Sequence, residues 1–537
     1  MPSELLSELV REGKNSNPSR LALVWRDQEL SYLALDGQID QVACSLLNKG
    51  VQDGDRIALY MHNVPQFVVA LYALQRLGAI PVPVSIYWKG SDLRYLLHRT
   101  AVSGVVTVAP LYERVKEVQP TLPDLKLVVV VGAGQPAQGF TAWDELTAEP
   151  FPDTVSSEQD AADPGLIAFT GGRSGPSHPV VLSHFNLLAN CQQMQDMPLV
   201  QFLGDPEQEG LLEGSRVQRG ASQNEVALLP LPLTNLFSLN IGLNLTMMLK
   251  GTAVLMERFY PAQALELVEQ RQCTLIFGSP AVFTALVNAP EFKSAKLQSL
   301  RYAFSYGGPL PEEVRQAWSK QTNCPLFNCY GLTEAGPLLC CEAAGETLTR
   351  GSVGPVLPLV EIVLMGPNGP IQAYDQAGQV LAKGPNMMLG YFNPADPDNP
   401  DPARPEGWFY TSDMGMVNEQ GHYQIIDRFE DILLLPAGEI IVPRDIERAL
   451  CEHPGVWEAA ALPYTTEDGR ARMVAFVVLT EDAKRLTEPQ LLHFCERKLP
   501  VALCPERIFV YKEEELPRLP NGAIWRRALR AQIQDYL

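Results

Sequence analysis

The chain has 537 residues, too many for one ordinary domain, and 46% of them are hydrophobic, enough for a sizeable core. It carries 62 Asp and Glu against 42 Lys and Arg, a formal net charge of −20. That balance argues against non-specific binding to nucleic acid or anionic membrane, and an anionic ligand would need a local basic patch.

In chain order, MPSELLSELVREGKN reads as an acidic amphipathic helix rather than a signal peptide. No apolar run approaches the roughly 18 residues that span a bilayer, so no stable membrane insertion and a cytoplasmic location are expected. The ten cysteines lack any C-x-x-C or zinc spacing and read as reduced, mostly buried thiols. Residues 55–63 predict a strand, and 64–78 a helix with Pro65 in its first turn and Gly78 at its end. Residues 79–85 and 125–132 predict strands, the second an unbroken apolar run suited to a parallel sheet. Residues 261–288 predict helix, strand, turn and helix. This alternation predicts an α/β fold with mostly parallel sheet. Two polar stretches, 203–224 and 393–407, predict long loops. After about residue 430 the pattern changes to a small α+β unit, so the expected domains are 1–429 and 430–537.

Several segments carry chemistry. FTGGRSGPSHPVVLSHFNL (169–187) puts a Gly/Ser loop between an apolar run and a predicted helix. Such a loop can aim backbone N–H groups at phosphate oxygens, although a ligand-free glycine turn is the plain alternative. It is no Walker loop, because G-x-x-x-x-G-K-[ST] is absent. LRYAFSYGGPLPEEVRQAW (300–318) reads as strand, glycine turn and helix. LFNCYGLTEAGP (326–337) sets an aromatic, a glycine, a hydroxyl and a carboxylate within five residues. Residues 407–447 place Asp413 fifteen residues before Arg428, and LPRLPNGAIWRRALR (516–530) closes the chain with four arginines.

In this order and spacing, from about residue 20 to 530, the segments resemble the adenylate-forming superfamily of acyl- and aryl-CoA synthetases, luciferases and peptide-synthetase adenylation domains. The resemblance implies a large N-terminal domain of layered sheets and helices that binds AMP and the acyl group, and a small mobile C-terminal α+β domain. It implies formation of an acyl-adenylate from a carboxylic acid and ATP with Mg²⁺, then displacement of AMP by a thiol, usually CoA. Position by position it gives Tyr330 the adenine stack, Thr333 the α-phosphate and Glu334 the metal. Gly307, Gly308 and Pro309 match the turn lining adenine and acyl group, with Gly331 in the nucleotide block. Asn328 falls where the adenine amine is met, and Asp413 and Arg428 where the ribose and phosphate are held. Thr170, Gly172, Ser174 and Gly175 match the phosphate loop. Glu430 falls at the hinge, Gly438 along the CoA arm, and the tail Arg526, Arg527 and Arg530 on a face where CoA could dock. Asn235, Phe237, Tyr306 and Gly307 fall in the acyl pocket.

The sequence departs from that pattern in one direction. The phosphate-loop lysine is His178, followed by Pro179, which fixes φ and has no N–H. Gly171 and Arg173 replace two hydroxyl positions of the loop, and Asn235 replaces a histidine at the acyl entrance. The C-terminal lysine that bridges carboxylate and α-phosphate is Ala523. Three readings stay open: an acyl-CoA ligase-type enzyme working chiefly by thiolysis of an acyl-adenylate supplied by a separate adenylating enzyme, a complete ATP-dependent fatty or aryl acid CoA ligase in which Arg173 or Arg518 compensates, and a non-catalytic nucleotide- and acyl-binding protein.

Overall fold

The structure is a computed structural model, and it describes residues 5–133, 139–148, 155–171, 177–197, 225–343, 351–396, 407–434, 440–466, 471–483, 485–500, 503–518 and 524–536. Two parallel sheets form the framework. Strands Ile80–Pro83, Arg56–Tyr60, Gly104–Val108, Leu127–Val131 and Thr141–Ala142 lie side by side in that order, all parallel. Their unbroken Val/Ile/Leu runs are what a sheet covered on both faces demands. The larger sheet has eight strands. Leu21–Trp25, Thr252–Leu255, Val226–Leu229, Leu275–Gly278, Tyr302–Tyr306 and Leu326–Gly331 run parallel, with one antiparallel strand at each edge, Gln28–Ser31 and Leu338–Cys341.

The predicted helices Pro65–Arg76 and Pro261–Arg271 both open on proline, whose fixed φ suits a first turn; the first packs into the core shared by both sheets and the second into a separate core on the larger sheet. The predicted helix–strand–helix over 261–288 is Pro261–Arg271, Leu275–Gly278 and Pro280–Asn288. The C-terminal ends of the parallel strands bring Gly278, Tyr306 and Tyr330 to one edge, which is where open α/β sheets bind ligands.

The sheet content is less parallel than the sequence suggests. Six of the strands described between residues 352 and 428 form one antiparallel sheet, and a separate antiparallel set joins Pro164–Phe169, Pro179–Ser183 and Gly390–Tyr391. The described residues of 352–428 include no α-helix that could carry a parallel crossover. After residue 430, strands Val456–Thr465, Ala471–Leu479 and Arg507–Tyr511 form a three-stranded sheet with its own two cores. Alternation decides the faces: Met473, Ala475 and Val477 pack with helices Pro443–Cys451 and Glu488–Lys498, while Val474, Phe476 and Val478 pack with helix Arg526–Tyr536. No described helix is long and apolar enough to cross a membrane.

Candidate active site

The site starts from the strand Leu326–Gly331 and the one-turn helix Thr333–Ala335 beyond it. Gly331 is obligatory there, because a Cβ would sit 1.9 Å from the Pro337 carbonyl oxygen. The tight return that this permits puts Tyr330, Thr333 and Glu334 together at the sheet edge. Tyr330 is buried, and its hydroxyl donates to Asp413 Oδ2 at 2.7 Å. Burial first, and Asp413 second, hold the Tyr330 phenol well above its ordinary pKa, so it stays a neutral donor.

Asp413 and Arg428 face each other directly across the antiparallel strands Phe409–Val417 and Tyr423–Arg428. Arg428 Nη1 lies 3.3 Å from Asp413 Oδ1 and donates to the Thr411 carbonyl at 2.8 Å. Burial alone would lower the Arg428 guanidinium, but Asp413, Tyr330 and Glu334 around it raise it. Tyr330 and Arg428 thus meet different oxygens of the Asp413 carboxylate.

Glu334 is buried and accepts from the Tyr391 hydroxyl at 2.8 Å. Burial raises its carboxyl, while Tyr391, Arg428 and His178 pull the other way. A buried carboxylate of this kind, set beside phosphate oxygens, would fit the donor set that Mg²⁺ uses. Asn328, on the same strand, donates from Nδ2 to the Ser352 carbonyl at 2.9 Å. Its Oδ1 is buried and finds no hydrogen-bond partner among the described residues. A buried acceptor without a donor suits a ligand amine.

The glycine-rich loop has a different setting from the one expected. It does not lead from strand to helix but closes a hairpin, with Ala168 opposite Val180 and Phe169 opposite Pro179. The helix, His184–Asp196, begins five residues later, so its N-terminus does not face the loop. Thr170 Oγ1 accepts from the His178 N–H at 2.9 Å, and the Thr170 N–H donates to the His178 carbonyl at 3.0 Å. Pro179 fits because it opens the strand, where its missing N–H costs nothing. The exposed His178 ring lies 5.4 Å from the Tyr391 ring. Gly172, Arg173, Ser174 and Gly175 lie outside the described residues.

Among the residues expected to line an acyl pocket, Phe237 opens a buried π-helical stretch, Phe237–Asn244, and stacks on Tyr306 with ring centres 4.7 Å apart. Gly307, at φ +94°, turns the chain away from strand Tyr302–Tyr306, followed by Gly308 and the exposed Pro309. Asn235 is spent locally: its Oδ1 accepts from the Phe237 N–H at 3.0 Å.

The C-terminal tail differs most from expectation. Arg526 is not on an open cationic face. It is buried, donates to the Ala461 carbonyl at 2.8 Å and pairs with Glu447. Arg530 pairs with Asp431 and donates to the Glu430 carbonyl at 3.3 Å, so the last helix is tied to residues 430–431, while Arg527 is exposed. Arg518 pairs with Glu458 at 2.6 Å. The acidic chain consumes these cations internally. Gly438 and Ala523 lie outside the described residues. Sequence reasoning missed Tyr391 and Thr411: Tyr391 stands beside a glycine in MLGYF, and its pairing with Val180 and the Met388 N–H bond to the Glu334 carbonyl bring it to Glu334.

Two family models match the chain, the AMP-binding enzyme over residues 10–392 and the AMP-binding enzyme C-terminal domain over 445–523. Among curated proteins, a long-chain-fatty-acid–CoA ligase of Bacillus subtilis (strain 168) is 26% identical, the match covering 98% of this chain and 94% of that protein. One of Escherichia coli O157:H7 is 29% identical over 90% of this chain and 86% of that protein. Among solved structures, the anthranilate CoA ligase AuaEII in complex with anthranoyl-AMP superposes with a TM-score of 0.83 at 20% identity, covering 100% of this chain and 99% of that one.

Proposed function

The chain belongs to the AMP-binding enzyme family, and from that premise we propose that it is an acid–thiol ligase forming an acyl-CoA chiefly by thiolysis of an acyl-adenylate. The observation that carries this reading is the contact of Tyr330, Asp413 and Arg428, a phenol, a carboxylate and a guanidinium joined at the edge of the parallel sheet. These groups suit a nucleoside monophosphate: the Tyr330 ring for adenine, Asp413 for the ribose hydroxyls, Arg428 and Thr333 for the single phosphate. Thiolysis asks little more. The thiol sulfur bonds to the acyl carbon, the acyl–phosphate C–O bond breaks, the thiol proton passes to solvent, and AMP leaves as an anion. Residues 430–537 are then the unit that turns about Glu430 between half-reactions.

Adenylation asks for more positive charge, because pyrophosphate must leave. Here the two lysine positions hold His178 and Ala523. Losing one preorganised donor costs on the order of 10²–10³ in rate. The adenylate would therefore come from a separate adenylating enzyme. The acyl group is of the fatty or aryl class that the relatives' names describe. The test gives purified protein synthetic acyl-AMP with CoA, and separately the free acid with ATP, Mg²⁺ and CoA. Fast thiolysis with slow acid activation is expected, and equal turnover in both would sink the reading.

One observation favours the complete ATP-dependent ligase instead: Glu334 is retained, buried and oriented by Tyr391. Pyrophosphate release at the full turnover rate, dependent on free acid, is its signature. Nucleotide binding without turnover in either assay is the signature of a non-catalytic protein.

A further inference from the structure

We propose that the buried pair Glu342–Arg315 is a positioning device that makes the nucleotide site select adenine over a ring bearing a carbonyl in place of the exocyclic amine. The inference rests on the AMP-site reading above and assigns a role to two residues outside it. Glu342 is 2% exposed and Arg315 8%. They meet in a two-pronged bond, Nη1 to Oε2 at 2.9 Å and Nη2 to Oε1 at 3.2 Å. Both also reach past each other to one strand. Glu342 Oε2 accepts the backbone N–H of Asn328 at 2.6 Å, and Arg315 Nη1 donates to the Leu326 carbonyl at 3.3 Å.

The placement matters because of what each element carries. Arg315 sits on helix Glu312–Gln321, which follows the Gly307–Pro309 turn. Leu326 and Asn328 belong to the strand that ends at Tyr330. The pair therefore ties together the two sides of the slot assigned to adenine. Removing two charges from water costs several kcal/mol per ion, and an apolar pair of similar volume commonly holds a fold as well. A buried ion pair that spends its hydrogen bonds on one strand's backbone is suited to fixing geometry.

The geometry it fixes is the Asn328 amide. With the strand held, Nδ2 donates to the Ser352 carbonyl, which can only accept. Oδ1 is thereby committed to the remaining direction, as an acceptor without a partner among the described residues. An acceptor there receives the amine of adenine and repels the carbonyl of hypoxanthine. If the strand relaxes, the amide can turn over and accommodate either ring.

Calorimetric titration of the full chain with AMP and with inosine monophosphate tests this, in the wild type, Glu342→Gln and Arg315→Lys, with thermal unfolding as the check on folding. The wild type should favour AMP by roughly tenfold or more. Both variants should bring that ratio to within about threefold, with inosine monophosphate affinity changed by less than about threefold. Arg315→Lys keeps the charge and loses only the fork, so it tests the geometry even if Glu342→Gln is unfolded. Folded variants that keep the wild-type ratio overturn the inference alone. A wild type that binds neither nucleotide, or both equally, overturns the adenine-site reading as well, and is distinguished by failing before any substitution is made.

Discussion

His178 divides its contributions between backbone and side chain. Its backbone does the hairpin's work through the paired bonds with Thr170, which any residue with an N–H and a carbonyl could make. Its side chain is exposed and stands near Tyr391, in the region of Glu334. The proposed loss of adenylation is thus a side-chain matter, and it should be reversible. The double substitution His178→Lys and Ala523→Lys should raise acid-dependent pyrophosphate release by about 10² or more, since each restores one cation where charge builds. Thiolysis of supplied acyl-AMP should change by less than about threefold. Pyrophosphate release that stays at the wild-type level in a folded, AMP-binding double variant would show that these two positions do not limit the reaction.

At the scale of elements, the antiparallel set around Pro179–Ser183 explains both an error of sequence reading and a stability feature. A five-residue apolar run followed at once by a helix start does not distinguish strand from helix, so the hairpin was invisible in PVVLS. The longer elements over 261–288 were legible, because period and proline placement agree there. The same hairpin leads into helix His184–Asp196, whose first residue is fully buried. His184 Nδ1 accepts the Leu6 N–H at 3.2 Å, so the N-terminal segment depends on a neutral imidazole. Burial lowers the His184 pKa from 6.5 to about 4. The unfolded chain therefore takes up a proton near pH 6.5 and the folded chain does not until about pH 4. Stability from this group is complete above pH 6.5 and is lost as the pH falls towards 4. Urea unfolding should show a loss of about 2 kcal/mol between pH 7.5 and pH 5 that is absent in His184→Asn, whose side chain can still accept from Leu6 but cannot titrate. Equal losses in both proteins would remove His184 as the cause.

For the whole molecule, what the sequence hid is long-range partnership. Tyr330 and Asp413 are 83 residues apart, and Tyr391 and Glu334 are 57 apart, so no local pattern announces either bond. The tail arginines misled for the opposite reason: RRALR looks like a free cationic cluster until the fold sets Glu447 and Asp431 against Arg526 and Arg530. The packing after about residue 430 has an energetic consequence. The hydrophobic clusters there draw only on residues 433–533, sharing none with the two large clusters of the parallel sheets. Phe476 is fully buried, with Phe509 and Tyr511 rings 5.4 and 5.7 Å away. Truncating such a residue costs about 3–5 kcal/mol, a large share of the stability of a unit this small. If the two regions melt as separate cooperative units, calorimetry of the intact chain resolves two transitions, and Phe476→Ala lowers one while leaving the other within about 1 °C. AMP, bound at Tyr330 and Asp413 as proposed, should raise only the transition that Phe476→Ala leaves alone. A single transition that moves as one under both perturbations would mean that the ties of Arg530 to Glu430 and Asp431 couple the two cores, and would make the proposed rotation about Glu430 correspondingly costly.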